Sequence, residues 1–137
     1  MPFITKLQAF RTKKSSGGRP EYRLKAPLKY LSPLLVKENF MSDVFDEGII
    51  TVPINFVTDF ASIPWPLYKV LRPDGPWDRA SVIHDFLCRM ANHDKETAMD
   101  YKHADDIFYE AARSDGVWVV TAFLFWGTIR IFHKFSG

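Results

Sequence analysis

Four ionisable side chains carry the chemistry this sequence suggests: Asp59, His84, Asp85 and Asp105, with the hydroxyls of Thr58 and Ser62 in support. One imidazole and two or three carboxylates can hold a divalent cation. The set mixes borderline and hard donors, so it admits Zn, Mn or Mg without choosing among them. With an open position, such an ion lowers the pKa of its bound water to about 7 and makes hydroxide available for hydrolysis. On this reading Asp59, His84 and Asp105 are catalytic and Asp85 is a fourth ligand. A second reading needs no metal. His84 and Asp105 then form a buried hydrogen-bonded pair that locks two helices. Asp59 and Ser62 cap a turn, and Asp85 pairs with Arg89 at i+4. Either way Asp59, His84 and Asp105 are expected to converge, because buried polar groups must satisfy one another.

The elements that position these residues follow from the pattern. Ile49-Ile50-Thr51-Val52 reads as a strand, and Pro53 ends its ladder for want of an amide hydrogen. Upstream, residues 3–10 are consistent with a strand and residues 21–26 alternate as its hairpin partner, with residues 11–20 as a Ser-Gly loop between them. Residues 30–40 fit either strand or helix. Downstream the period becomes helical: a short helix over 64–71, one over 79–91 and one over 95–113 entered through an Asp94/Thr97 cap. His84 sits at the edge of the second helix's apolar stripe beside Cys88, which reads as a small buried hydrophobe. Asp105 flanks the apolar face of the third. Asp106 points to solvent, toward Lys102.

Residues 117–135 begin with thirteen uncharged residues, apolar almost all round. A bilayer needs roughly 20 apolar residues, so this is expected to be a buried core helix rather than a transmembrane segment. Its Arg130, His133 and Lys134 suit the helix dipole. His93, His103 and His133 receive no role, and the four tryptophans are assigned to the core, although Trp65 and Trp77 flank a Pro-rich loop and could instead wall a pocket. The expectation is an α+β fold in one domain, 1–137: a small antiparallel sheet or hairpin in a basic, strand-rich part (1–53), then three or four packed helices (54–137) with a buried C-terminal helix.

With 137 residues, 47% of them hydrophobic and 15% aromatic, the chain is a globular sequence, not a disordered one. A single cysteine, Cys88, excludes a disulfide framework and a Cys-based zinc site. The N-terminus lacks a signal-peptide apolar run. Charge is uneven. Residues 1–37 hold nine Lys or Arg and one acid, a net of +8, and the remainder carries −6. Arg11, Lys13, Lys14 and Arg19 could form an anion- or nucleic-acid-binding face, although a solvated edge or docking on the chain's own acidic part ranks ahead. There is no Gly-rich phosphate loop and no Gly-x-Ser-x-Gly elbow. Ser62 as a nucleophile activated by His84 lacks a visible oxyanion site.

Thr58-Asp59-Phe60-Ala61-Ser62-Ile63-Pro64, then His84-Asp85, then Ala104-Asp105, resembles a family of small phage and prophage proteins with no assigned function. Val52, Pro53, Phe56 and Ala80 also match that pattern, which spans roughly residues 48–130. Asn55 stands where the family commonly has Gly, and Asn tolerates a left-handed backbone better than most residues. Lys102 stands where an Arg is usual. The resemblance implies a phage origin, with the host cytoplasm or the virion as location, and supplies no reaction. Two function classes follow: a divalent-metal-dependent hydrolase acting on an amide or phosphoester bond of cell wall or nucleotide, or a non-catalytic component that binds other virion proteins or a host target.

Overall fold

The computed structural model describes residues 9–14, 20–42, 44–58, 78–93 and 98–136. Asp59, Ser62, Arg19, the 64–71 helix and the Asp94/Thr97 cap lie outside the described residues. The architecture is α+β. Strands β1 (Ala9–Lys14) and β2 (Pro20–Leu24) form an antiparallel hairpin, with Ala9 opposite Leu24 and Lys14 opposite Pro20. β1 therefore runs through residues assigned from composition to the loop: Arg11, Lys13 and Lys14 lie on the strand itself. Cross-strand hydrogen bonds along β2 prevail over the poor strand propensity of Lys-rich segments.

β3 (Leu28–Leu31) pairs antiparallel with β4 (Ile49–Val52), Leu28 facing Val52. Helix α1 (Pro33–Glu38) and a short 3-10 turn (Asp46–Gly48) connect them. The ambiguous 30–40 stretch is thus strand and then helix. Ser32 makes the switch: its Oγ accepts the Leu35 amide at 3.3 Å, Pro33 opens the helix, and left-handed Asn39 closes it. Gly48 is required where it stands. Its φ is +78°, and a Cβ there would meet Val36 Cγ2 at 2.5 Å.

After Pro53 the chain turns through Asn55, whose φ of 71° is the left-handed conformation expected of it. Asn55 and Phe56 exchange backbone hydrogen bonds with Leu24, each 3.0 Å. That carries the chain across to β5 (Val57–Thr58), which completes a three-stranded sheet in the order β1-β2-β5. Thr58 is so delivered, fully buried, toward the helices.

Three longer helices follow: α2 (Asp78–His93), α3 (Tyr101–Ser114) and α4 (Val119–Ser136). α3 starts six residues later than its periodicity predicts, because Asp100 caps it: Asp100 Oδ1 accepts the His103 amide at 2.8 Å. The core joins Leu24, Leu28, Tyr30, Ile50 and Val52 from the strands to Ile83 and Leu87 of α2, Ile107 and Phe108 of α3, and Ala122, Phe125 and Ile129 of α4. Burial of α4 is one-sided, which corrects the all-round expectation. Trp118, assigned to the core, is 66% exposed at the entrance to α4, and Phe123 is 57% exposed. The helix packs on α3 through a single face, and nothing in the described chain encloses the other. No helix among the described residues is long and apolar enough to cross a membrane.

Candidate metal centre

His84 and Cys88 lie one helical turn apart on α2, so both project from one face. α3 runs alongside and presents Asp105. From the last turns of α4, Arg130 and His133 reach the same point, three residues apart. His84 Nε2 donates to Asp105 Oδ1 at 2.7 Å. The other carboxylate oxygen, Oδ2, accepts from His133 Nδ1 at 2.8 Å and from Arg130 at 2.9 Å. Cys88 Sγ lies 3.4 Å from His84 Nε2. Ligand atoms of His84, Cys88, Asp105 and His133 all fall within 4.8 Å of one another.

The setting is dry. His84 and Asp105 are fully buried, Cys88 is buried, and the His133 side chain is 12% exposed. Rings wall the cluster: Phe108 lies 5.2 Å from His84, and Tyr101 stacks on His133 at 4.5 Å between centroids. Burial, the largest single influence, pushes the Asp105 carboxyl up. Hydrogen bonds from His133 and His84, with their attraction, outweigh it and hold the group below its usual range. Asp105 is thereby kept as an anion.

The other sequence-derived residues fall elsewhere. Asp85 turns away from Asp105: its Oδ2 accepts the Thr58 hydroxyl at 2.6 Å and pairs with Arg89 at 3.1 Å. Adjacent residues on a helix point about 100° apart, so His84 and Asp85 serve different neighbours. Thr58 thus supports Asp85, pinning the end of β5 to α2. Asp106 pairs with Lys102 at 2.8 Å and also accepts the Trp126 indole N–H at 2.7 Å.

Two cluster members were not singled out by sequence reasoning. Cys88 at i+4 from His84 has ligand spacing and could have been chosen on that basis. His133 was assigned to the helix dipole. Only the docking of α4 on α3 shows that it faces Asp105.

The donor set fits a borderline metal. Two imidazoles, a thiolate and a carboxylate favour Zn over the harder Mg and Mn; a lone cysteine excludes a site of several thiolates but not one shared with imidazole and carboxylate, so the exclusion drawn from Cys88 is corrected. For tetrahedral zinc, Zn–N bonds of about 2.0–2.1 Å imply donor separations of about 3.3–3.4 Å. With a Zn–S bond of about 2.3 Å the sulfur-to-nitrogen separation is about 3.6 Å, and the Cys88–His84 distance of 3.4 Å falls slightly short of it. The two His–Asp distances are those of hydrogen bonds and would have to widen as an ion replaced the shared protons. A family model described as Protein of unknown function (DUF1353) matches residues 34–129. No curated protein and no solved structure matches the chain.

Proposed function

This chain belongs to the DUF1353 family, and we propose that it is a zinc-type metal protein whose centre is His84, Cys88, Asp105 and His133. The convergence of four ligand atoms from three helices within 4.8 Å carries this reading. Four protein donors fill a tetrahedral zinc, so a hydrolytic role would use three of them and leave the fourth position to water, whose pKa the ion would lower toward about 7 for attack on an amide or phosphoester bond. The chain's own residues do the rest. Tyr101 and Phe108 keep water from the imidazoles. Arg130, whose side chain is 29% exposed, joins the cluster to solvent and is placed to meet an anionic group of a substrate. With the phage origin that the resemblance implies, the target proposed is a bond of cell wall or nucleotide in the host. Asp59 stays in this proposal as a catalytic candidate.

The test is metal content. Protein purified without chelator should carry about one zinc per chain, as a structural or catalytic zinc site requires. Cobalt added to the apoprotein should give thiolate-to-metal absorption. Cys88→Ser should remove that absorption, and His84→Ala should lose the metal while retaining the helical circular dichroism. Absence of zinc after growth in zinc-supplemented medium, together with no cobalt spectrum, would overturn the proposal.

One observation favours a second reading, a non-catalytic virion or host-binding component with a structural cluster. Among the described residues no buried side-chain nitrogen or oxygen lacks a hydrogen-bond partner, so the cluster is satisfied as protein alone. His84→Ala would then lower the melting temperature with no change in metal content.

A further inference from the structure

The cluster is most open at the end of α4. His84 and Asp105 are fully buried, whereas His133 and Arg130 keep 12 and 29% of their side chains exposed. Arg130 Nη1 donates to Asp105 Oδ2 at 2.9 Å. A guanidinium carries five N–H donors, so most of the Arg130 fork is left for another partner. Lys134 lies one turn further along the same face of α4 and is exposed. On α3, Lys102 stands within electrostatic range. Its hydrogen bond to Asp106 raises its pKa, and the Arg130 charge opposes that rise. Lys102 is thus shared with Asp106, while Arg130 and Lys134 have charge to spare. In the zinc form the Cys88 thiolate and the Asp105 carboxylate balance the two charges of the ion, which leaves both cations uncompensated at its edge.

We propose that the substrate of this centre is a phosphate ester, its non-bridging oxygens held by the Arg130 fork and attracted by Lys134. The proposal rests on the zinc reading above and chooses between the two bond classes that reading leaves open. A neutral amide offers these cations nothing. A carboxylate fits a guanidinium fork as well as a phosphate does. Only a phosphate ester places the anionic oxygens and the bond to be broken on one atom, and Arg130, bonded to Asp105, would hold that atom beside the donors. Hydrolysis then joins a water oxygen to phosphorus and breaks the bond from phosphorus to the ester oxygen. That oxygen leaves as an alcohol carrying a proton from the same water.

The test uses the zinc-loaded full-length protein with inorganic phosphate as probe, zinc per chain being measured in the same samples. Calorimetry should show one phosphate bound per chain and acetate bound far more weakly. Arg130→Gln should weaken phosphate about tenfold or more, as loss of a hydrogen bond between charged groups does. Arg130→Lys should recover part of that. Because Arg130 also steadies Asp105, Lys134→Gln is the second check: it should weaken phosphate about two- to threefold with an unchanged melting temperature. The zinc protein should cleave p-nitrophenyl phosphate and leave p-nitroacetanilide intact. With zinc fully bound, any of four results would overturn this proposal and leave the zinc reading standing. These are no phosphate binding, acetate bound as tightly as phosphate, phosphate affinity unchanged in both glutamine variants, or cleavage of the anilide instead. Absence of zinc would remove the zinc reading itself, and this proposal with it.

Discussion

Asp105 accepts from two imidazoles and a guanidinium, and Glu110 does comparable work further along α3. Glu110 Oε1 accepts the Tyr30 hydroxyl at 2.6 Å and the Ser32 hydroxyl at 2.8 Å, while Oε2 accepts the Leu34 amide at 2.8 Å. Burial and the adjoining Glu110 carboxylate push the Tyr30 phenol far above its ordinary range, so it stays a neutral donor. Glu110→Ala would strand three donors where water reaches poorly, and urea unfolding should register a loss of about 2–4 kcal/mol. Glu110→Gln retains an acceptor and should cost less. Neither partner was legible in the sequence, because Tyr30 and Glu110 are 80 residues apart and no local periodicity relates them. Asp105 was legible as an acid on the flank of an apolar face. His133 was not, since a basic residue near a helix C-terminus already has a sufficient local explanation in the dipole.

At the scale of elements, α3 shows how one side chain fixes a boundary. The helix begins at Tyr101, where Asp100 bonds both the His103 amide and its ring, each at 2.8 Å. Asp100→Ala should cost about 1 kcal/mol at neutral pH. Partial burial raises the Asp100 carboxyl, but the His103 amide and ring hold it below its ordinary value, about 4. The cap's contribution is therefore full above that value and fades as pH falls through the lowered one. Wild type and Asp100→Ala should converge in stability in acid, and a pair of urea series across that window checks it. Helix α4 teaches a different lesson. An all-round apolar sequence does not say which face the fold will bury, so composition alone reads an exposed stripe as core. Phe123→Asp, which a central helix could not tolerate, should leave the stability of dilute protein within about 0.5 kcal/mol. Phe125→Asp, on the inward face, should unfold it. Thermal melts of the two variants distinguish these outcomes.

Over the whole molecule the two halves divide the work. The strand-rich half meets the helices at Thr58–Asp85 and at Tyr30–Glu110, but all four donors of the cluster come from residues 84–133. The α+β class was readable because strand and helix periods separate cleanly near residue 58. The hairpin register was less so, as composition assigned much of β1 to a loop. The tightness of Gly48 against Val36 was not readable at all, since it depends on how α1 folds back over the turn. The layout of the cluster also bears on how the fold opens. Asp105 has His84 on one oxygen and Arg130 and His133 on the other, so lifting the end of α4 leaves a buried carboxylate with one oxygen unmet. A half-met charge in a dry setting is costly, so loss of the last turns of α4 is expected to loosen α2 and α3 with it.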